Sequence, residues 1–219
     1  MTLLDFPGAV ACTVFTGGCN LRCPFCHNAD LVRTPTMYVN MLPQVMEYLE
    51  KRKGLIDGVC VTGGEPLLQP DLHAFLKTVK EMGYRIKLDT NGSLPDRLSR
   101  ILQTGLVDYV AMDVKSSKTG YSLAIGGETD FSLFEESIAL LRHSGIDHEF
   151  RTTVVKGIHT PQDIADIANM LKGEEKYFLQ TFKDSGNLLA SGFEAFSHAE
   201  MAAMLETVKQ YIPQAQLRG

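Results

Sequence analysis

The 219-residue sequence lacks long apolar runs and has no excess of basic residues. No stretch approaches the roughly 20 apolar residues that a bilayer-spanning helix needs. The N-terminus has no basic segment followed by an apolar one, so we expect a cytoplasmic protein rather than a membrane or secreted one. Aspartate and glutamate (26) outnumber lysine and arginine (21), and the formal charge of −5 makes a broad nucleic-acid-binding surface unexpected.

Cysteine is also sparse, with five in all. A disulfide framework is typical of small secreted chains and does not suit this one. Cys12 and Cys60 lie inside apolar runs, and we expect both to be small buried hydrophobic residues. Hydrophobic residues (44%) and charged residues (21%) occur in the proportions of a globular protein with a hydrophobic core.

Short β-like runs alternate along the chain with longer segments that have helical periodicity. The predicted strands cover residues 10–15, 58–62, 85–89, 107–113, 149–155 and 177–181. The predicted helices cover residues 41–53, 72–82, 95–103, 131–143, 161–171 and 199–211. This alternation predicts an α/β fold with a parallel sheet. A closed eight-stranded barrel typically needs about 250 residues, so we predict a partial (β/α)6 barrel that forms one domain over residues 1–219.

Polar or glycine-rich clusters follow the first four predicted strands. They occupy residues 19–26, 63–66, 89–92 and 113–115. Sites in α/β sheets gather beyond the carboxyl ends of the strands. We therefore expect the four clusters to converge at one rim of the sheet.

The first cluster supplies three thiols in one loop, at Cys19, Cys23 and Cys26. A structural zinc site normally closes with four protein ligands. His27 or Cys60 could supply a fourth, but the spacing is unlike that of paired zinc-binding cysteines. An iron–sulfur cubane also takes thiolates, and with only three it keeps one iron open.

This cysteine spacing, with Phe25 before the last cysteine, resembles the signature of the radical S-adenosylmethionine (SAM) superfamily, whose fold is a partial (β/α)6 barrel. The resemblance implies that Cys19, Cys23 and Cys26 hold a 4Fe–4S cluster and that Phe25 packs beside the adenine of SAM. The second cluster resembles the motif that holds the amino group of SAM, and its residues are Gly63, Gly64, Glu65 and Pro66. Glycine permits close approach of the backbone to a ligand.

Residues 4–8, 15–19 and 26–28 narrow the resemblance to the activating enzymes of glycyl radical enzymes. The small activating proteins of anaerobic ribonucleoside-triphosphate reductase are the most similar subgroup. The third and fourth clusters resemble two motifs of pyruvate formate-lyase activating enzymes. The likeness covers roughly residues 4–155.

Those two motifs imply further contacts to SAM. By resemblance, Asp89, Thr90 and Asp113 help to bind a monovalent cation beside the SAM carboxylate, Lys115 contacts SAM, and Asn91 belongs to the same motif. Without the resemblance, both aspartates would be read as caps of the following helices and Lys115 as a solvated surface residue.

Arg151 stands in an apolar strand, where a buried charge needs a partner. The SAM carboxylate is one candidate partner, and Asp147 or Glu149 is another.

The sequence also departs from the larger activating enzymes that it resembles. Many activating enzymes carry an insertion with additional cysteine clusters after the first motif, whereas residues 29–40 contain no cysteine, so auxiliary clusters are excluded. Gln180 stands where pyruvate formate-lyase activators have a histidine that contacts SAM. This substitution argues against pyruvate formate-lyase as the substrate.

The resemblance implies an activase that reductively cleaves SAM and installs a glycyl radical on a partner enzyme, with a flavodoxin or ferredoxin as electron donor. Anaerobic ribonucleoside-triphosphate reductase is the favoured partner. Two alternatives stay open: a radical SAM enzyme for a small molecule, such as a 7-carboxy-7-deazaguanine synthase, and a non-catalytic iron–sulfur or zinc protein that keeps the fold.

Overall fold

The computed structural model describes residues 2–34 and 41–219, which form two compact units. The first unit lies within Met1–Asn20, Asp30–Ala111 and Leu133–Asp147, and the second comprises Leu21–Ala29, Met112–Ser132 and His148–Gly219. Part of the segment predicted to lack an insertion, residues 35–40, lies outside the described residues. The single domain over residues 1–219 stays a prediction.

In the described residues, seven strands form one parallel sheet in chain order. They are β1 (Ala11–Thr16), β2 (Gly58–Gly63), β3 (Arg85–Thr90), β4 (Tyr109–Asp113), β5 (Asp147–Val154), β6 (Tyr177–Thr181) and β7 (Gln216–Arg218). The first six confirm the predicted strands to within two residues at each end. The sequence analysis missed β7, because three residues are too few to show a periodic pattern.

Helices follow most of the strands. They are α1 (Ala29–Arg33), α2 (Leu42–Lys51), α3 (Leu72–Glu81), α4 (Pro95–Gln103), α5 (Tyr121–Ile125), α6 (Ser132–His143), α7 (Pro161–Met170) and α8 (His198–Lys209). All six predicted helices are present, and the two that were missed, α1 and α5, have five residues each. None of the described helices combines the length and hydropathy required to cross a membrane.

The core of the first unit includes β2, whose residues Val59, Cys60 and Val61 are fully buried. Phe6 is also fully buried, and its ring centroid lies 6.1 Å from that of Tyr109. The prediction of a buried thiol is confirmed for Cys60. It is wrong for Cys12, which is only half-buried.

In the second unit, α7 begins with a capping box in which Thr160 and Asp163 bond reciprocally, side chain to backbone. The Asp163 carboxylate also accepts a hydrogen bond from the hydroxyl of Ser117. Ser117 lies four residues after the end of β4. The start of the helix thus anchors the segment that carries the fourth polar cluster.

Candidate functional site

The second cluster is locked to the loop that carries Cys19. Gly64 N–H donates to Thr16 O at 2.9 Å, and Glu65 N–H donates to Gly18 O at 2.8 Å. A Cβ on Gly64 would lie 1.8 Å from Gly18 O, and Gly63 has a φ of +109°. Both glycines are therefore required by the approach of two segments of this chain to each other, a reason that the sequence analysis did not foresee.

Glu65 is completely buried and joins the second cluster to the third. Its Oε1 accepts from Thr90 Oγ1 at 2.9 Å and from Leu67 N–H at 3.1 Å. Its Oε2 accepts from Asn91 N–H at 2.7 Å. Pro66, also buried, begins the short 3-10 turn that follows. The carboxylate predicted to meet the amino group of SAM is thus already bonded to three donors of the chain.

Asn91 connects this network to the first cysteine. Its Nδ2 lies 3.7 Å from Cys19 Sγ and donates to Asn20 Oδ1 at 3.2 Å. Ser93 Oγ lies 2.6 Å from Asn91 Oδ1 and 2.8 Å from Asn20 Nδ2. The sequence analysis gave no role to Asn20, which lies within the first cluster, or to Ser93, which directly follows the third, and this proximity was their signal.

Asp89 contacts a lysine that the sequence analysis did not single out. Lys87 Nζ lies 2.5 Å from Asp89 Oδ1, and its side chain is 1% exposed. Cys60 is the register partner of Lys87 on β2, and its Sγ lies 3.9 Å from Nζ. Asp89 does not cap the next helix, since the N-cap of α4 is Leu94.

In the second unit, backbone hydrogen bonds fix both sides of the loop that carries Cys23 and Cys26. Arg22 N–H donates to Ile125 O at 2.9 Å, and Ala190 N–H donates to Pro24 O at 2.8 Å. Cys26 N–H closes a tight turn onto Cys23 O at 3.0 Å. Cys23 is buried and Cys26 is partly exposed.

Phe25 is 5% exposed and packs edge-on against the ring of His159, with a centroid distance of 6.2 Å. His159 is itself buried. Its Nδ1 accepts from Val155 N–H, so Nε2 carries the proton and donates to Lys115 O at 2.7 Å. Burial lowers the pKa of His159, which favours this neutral form.

Asp113 is held by two cations. Arg151 Nε lies 2.8 Å from its Oδ1, and Lys115 Nζ lies 3.0 Å from its Oδ2. Burial alone would raise the pKa of Asp113, but the charges of Arg151 and Lys115 outweigh it and hold this pKa well below its usual range. Asp113 does not cap α5, whose N-cap is Gly120.

The two cations are themselves partly buried. Burial would lower the pKa of Lys115, but the negative charges of Asp113, Cys23 and Cys26 raise it above its usual value. Arg151 has Asp113 as its near partner, and its Nη1 lies 4.0 Å from Glu149, which Arg218 binds through both carboxylate oxygens. Glu149, one of the two side chains predicted as a partner of Arg151, is therefore only a distant one.

Within residues 2–34 and 41–219, no three His, Cys, Asp or Glu side chains form a group arranged to hold a metal ion. The chemistry of the donors nevertheless fits an iron–sulfur cluster. Cys23 and Cys26 act on the charged Lys115, and Cys19 lies beside the amide of Asn91. Cationic groups and N–H donors near thiolates stabilise their charge and tune a cluster.

Gln180 lies on β6, paired in register with Thr153, whose Oγ1 lies 3.4 Å from Gln180 Oε1. Its relation to SAM stays a prediction, as do the ligand roles of the other site residues.

Comparisons with known proteins identify relatives of this chain. A Methanocaldococcus jannaschii protein provisionally assigned as a glycyl-radical enzyme activating enzyme is 31% identical over 84% of this chain and 77% of its own length. The pyruvate formate-lyase-activating enzyme of Clostridium pasteurianum is 31% identical over 78% of this chain and 73% of its own length. A 7-carboxy-7-deazaguanine synthase of Methanopyrus kandleri is 35% identical over 52% of this chain and 53% of its own length.

Solved structures show the same fold. Streptococcus suis SuiB, determined bound to S-adenosylmethionine, matches with a TM-score of 0.76 and 14% identity over 98% of this chain and 51% of its own. The predicted partial barrel of the radical SAM type is confirmed. The radical SAM superfamily model matches residues 13–171, so the chain belongs to that superfamily and is a radical SAM enzyme.

Proposed function

We propose that this protein is an activase that uses SAM to remove a Cα hydrogen from one glycine of a partner enzyme, leaving a glycyl radical. The hydrogen-bonded path from Glu65 through Asn91 to Cys19 carries the proposal, because it joins two motifs of the radical SAM superfamily to one motif of the activating enzymes in one network. The two relatives that match most of the chain and bear activating-enzyme names support the same reading.

Each group of site residues has its own proposed role. Cys19, Cys23 and Cys26 would hold the 4Fe–4S cluster, which when bound supplies the electron that cleaves the sulfonium C–S bond of SAM. The products of the proposed reaction would be 5′-deoxyadenosine, methionine and the glycyl radical of the partner enzyme. Phe25 offers a buried apolar ring for the adenine. The protein orients its ligand and excludes water, and the cofactor supplies the redox chemistry.

Lys115 and Arg151 supply positive charge for the carboxylate of SAM. His159 positions Lys115 by donating to its backbone carbonyl oxygen. A neutral, buried histidine in this position serves structure and not proton transfer. Glu65 holds the turn that contains Gly63 and Gly64, and through Asn91 it also fixes the loop of Cys19.

The proposed partner is anaerobic ribonucleoside-triphosphate reductase, and the proposed electron donor is a flavodoxin or ferredoxin. Both follow from the resemblance of residues 4–8, 15–19 and 26–28 to the small activating proteins. We propose the cytoplasm as the location, since none of the five cysteines, all of which the structure describes, is paired in a disulfide. The monovalent cation expected near Asp89, Thr90 and Asp113 is the part of the resemblance that the ion pairs described above argue against.

The second candidate function is that of a small-molecule radical SAM enzyme of the 7-carboxy-7-deazaguanine synthase type. The 35% identity to such an enzyme over about half of this chain favours it. It predicts that 5′-deoxyadenosine accumulates with a small pterin substrate and in the absence of any protein partner.

The test uses the full chain, reconstituted without oxygen, reduced, and mixed with SAM and an anaerobic ribonucleoside-triphosphate reductase. A glycyl radical doublet in the electron paramagnetic resonance (EPR) spectrum is expected. Cys23→Ala should abolish the doublet, whereas Cys12→Ala, a change at a cysteine outside the loop, should keep it. Formation of 5′-deoxyadenosine with a pterin and no doublet with the reductase would replace the activase by the second candidate.

A further inference from the structure

We propose that the side chains of Lys87, Lys115 and Arg151 take the place of the monovalent metal ion, so that SAM binding by this protein requires neither sodium nor potassium. The inference rests on the proposed function, because it presupposes that SAM binds. It is carried by the ion pairs of Asp89 and Asp113, each within its own compact unit.

Lys87 is the resident cation of Asp89. Its ammonium group lies 2.5 Å from Oδ1 of that carboxylate, and only 1% of its side chain is exposed. Ile86 and Leu88, its neighbours on β3, are fully buried. A buried ammonium needs a hydrogen-bonded countercharge. A metal ion on Asp89 would therefore compete with Lys87 and bring two positive charges together in a dry environment.

The single negative charge of Asp113 faces two positive charges. Each of its oxygens has its own cation, Arg151 on Oδ1 and Lys115 on Oδ2. One negative and two positive charges leave this group of three with a net positive charge. Such a surplus attracts an anion, and the carboxylate of SAM is an anion. It repels a further metal ion.

Thr90, the third expected ligand of the cation, is also engaged. Its hydroxyl donates to Glu65 Oε1 at 2.9 Å and accepts from Gly92 N–H at 3.1 Å. A hydroxyl has one donor hydrogen and two lone pairs. A single lone pair is left for any other ligand.

The first measurement is the affinity of the cluster-loaded enzyme for SAM, read from the change in the EPR spectrum of the reduced cluster. Choline chloride, sodium chloride and potassium chloride are compared at equal ionic strength, so that general screening is held constant. The wild-type dissociation constant should agree within about twofold across the three salts. A wild-type affinity that rises about tenfold with sodium or potassium would overturn the inference.

The second measurement uses Lys87→Met, which removes the ammonium group and keeps a side chain of similar length. In choline chloride its affinity for SAM should fall about tenfold, and potassium or sodium should restore it by filling the vacated charge. Lys80→Met is the matched control, because Lys80 Nζ lies 2.7 Å from Asp108 in a lysine–aspartate pair outside the predicted motifs. The control should bind SAM like the wild type in every salt.

A folding defect is separated from a binding defect by the double variant Lys87→Met/Asp89→Asn, which removes both charges. It should unfold at a temperature close to that of the wild type and bind SAM without any response to potassium. A folded Lys87→Met protein that binds SAM as the wild type does in choline would also overturn the inference. Failure of the wild type to bind SAM in any salt would instead remove the proposed function and the inference with it.

Discussion

Glu65 and Asp113 are carboxylates that follow or end a strand, one in each compact unit, and they are held in opposite ways. Glu65 is fully buried and accepts from a hydroxyl and two backbone N–H groups. Asp113 is 30% exposed and accepts from two cations. Neutral donors fix the path of the chain, whereas paired cations set the local charge. The Glu65 carboxylate thus mainly holds the backbone in place, whereas the Asp113 carboxylate mainly sets the local charge.

The largest effect is expected from Gly64→Ala, which disturbs the close backbone contact between the second cluster and the loop of Cys19. The added Cβ would meet Gly18 O at 1.8 Å, so one of the two backbone segments must move. We expect the free energy of unfolding to fall by about 3 kcal/mol, measured by urea denaturation. Gly127→Ala, where a Cβ meets nothing within 4 Å, is the control and should change stability by less than about 0.5 kcal/mol. Equal stabilities for the two variants would refute the close contact between the backbones of Gly64 and Gly18.

An intermediate effect is expected from Asp113→Asn, which removes the negative charge that pairs with the two cations. It leaves Arg151 and Lys115 without their anion and should lower the free energy of unfolding by about 1–2 kcal/mol at neutral pH. The folded pKa of Asp113 lies below its unfolded value of about 4, so its contribution is complete above that pH and is lost as the pH falls through the folded pKa. Denaturation of both proteins across the acid range should show their stabilities converging.

A gap between Asp113→Asn and the wild type that stays constant from neutral pH to the acid limit would contradict this account. It would mean that the loss comes from packing and not from the charge of the carboxylate.

The smallest effect is expected from His159→Gln, which tests how Lys115 is positioned. Burial lowers the folded pKa of His159 below its unfolded value of about 6.5. As the pH falls below that value, the unfolded chain binds a proton that the folded chain does not, so wild-type stability declines. The free energy of unfolding of the variant should not show this part of the decline with falling pH, a difference of about 1 kcal/mol or less. Identical slopes in the variant and the wild type would exclude His159 as the source of this decline.

The sequence predicted the elements well because strand and helix periodicities alternate clearly over most of the chain. It failed for α1, α5 and β7, which are too short to repeat the period that would reveal them. Hydrophobic periodicity reports which face is buried, and it needs at least two turns or several alternations to do so.

The sequence analysis named candidate site residues but not the contacts that they make. The cysteines were singled out by their spacing, and the glycines and the two aspartates by the resemblance of short motifs, all of which is local information. Lys87 was overlooked although it stands between Ile86 and Leu88 in an apolar strand, a position where a charge demands a partner. Its pairing with Asp89 and the position of His159 depend on side-chain directions that spacing does not carry.

The approach of Gly64 to Gly18 has a consequence for how the gene can vary. Every substitution at position 64 adds at least a Cβ, and that atom has no space whatever the rest of the side chain may be. The position is closed to change in a way that burial or charge alone would not impose, since conservative and radical replacements fail for the same reason. A compensating change in the loop of Gly18 would have to move backbone, a change that no single neighbouring side chain can supply.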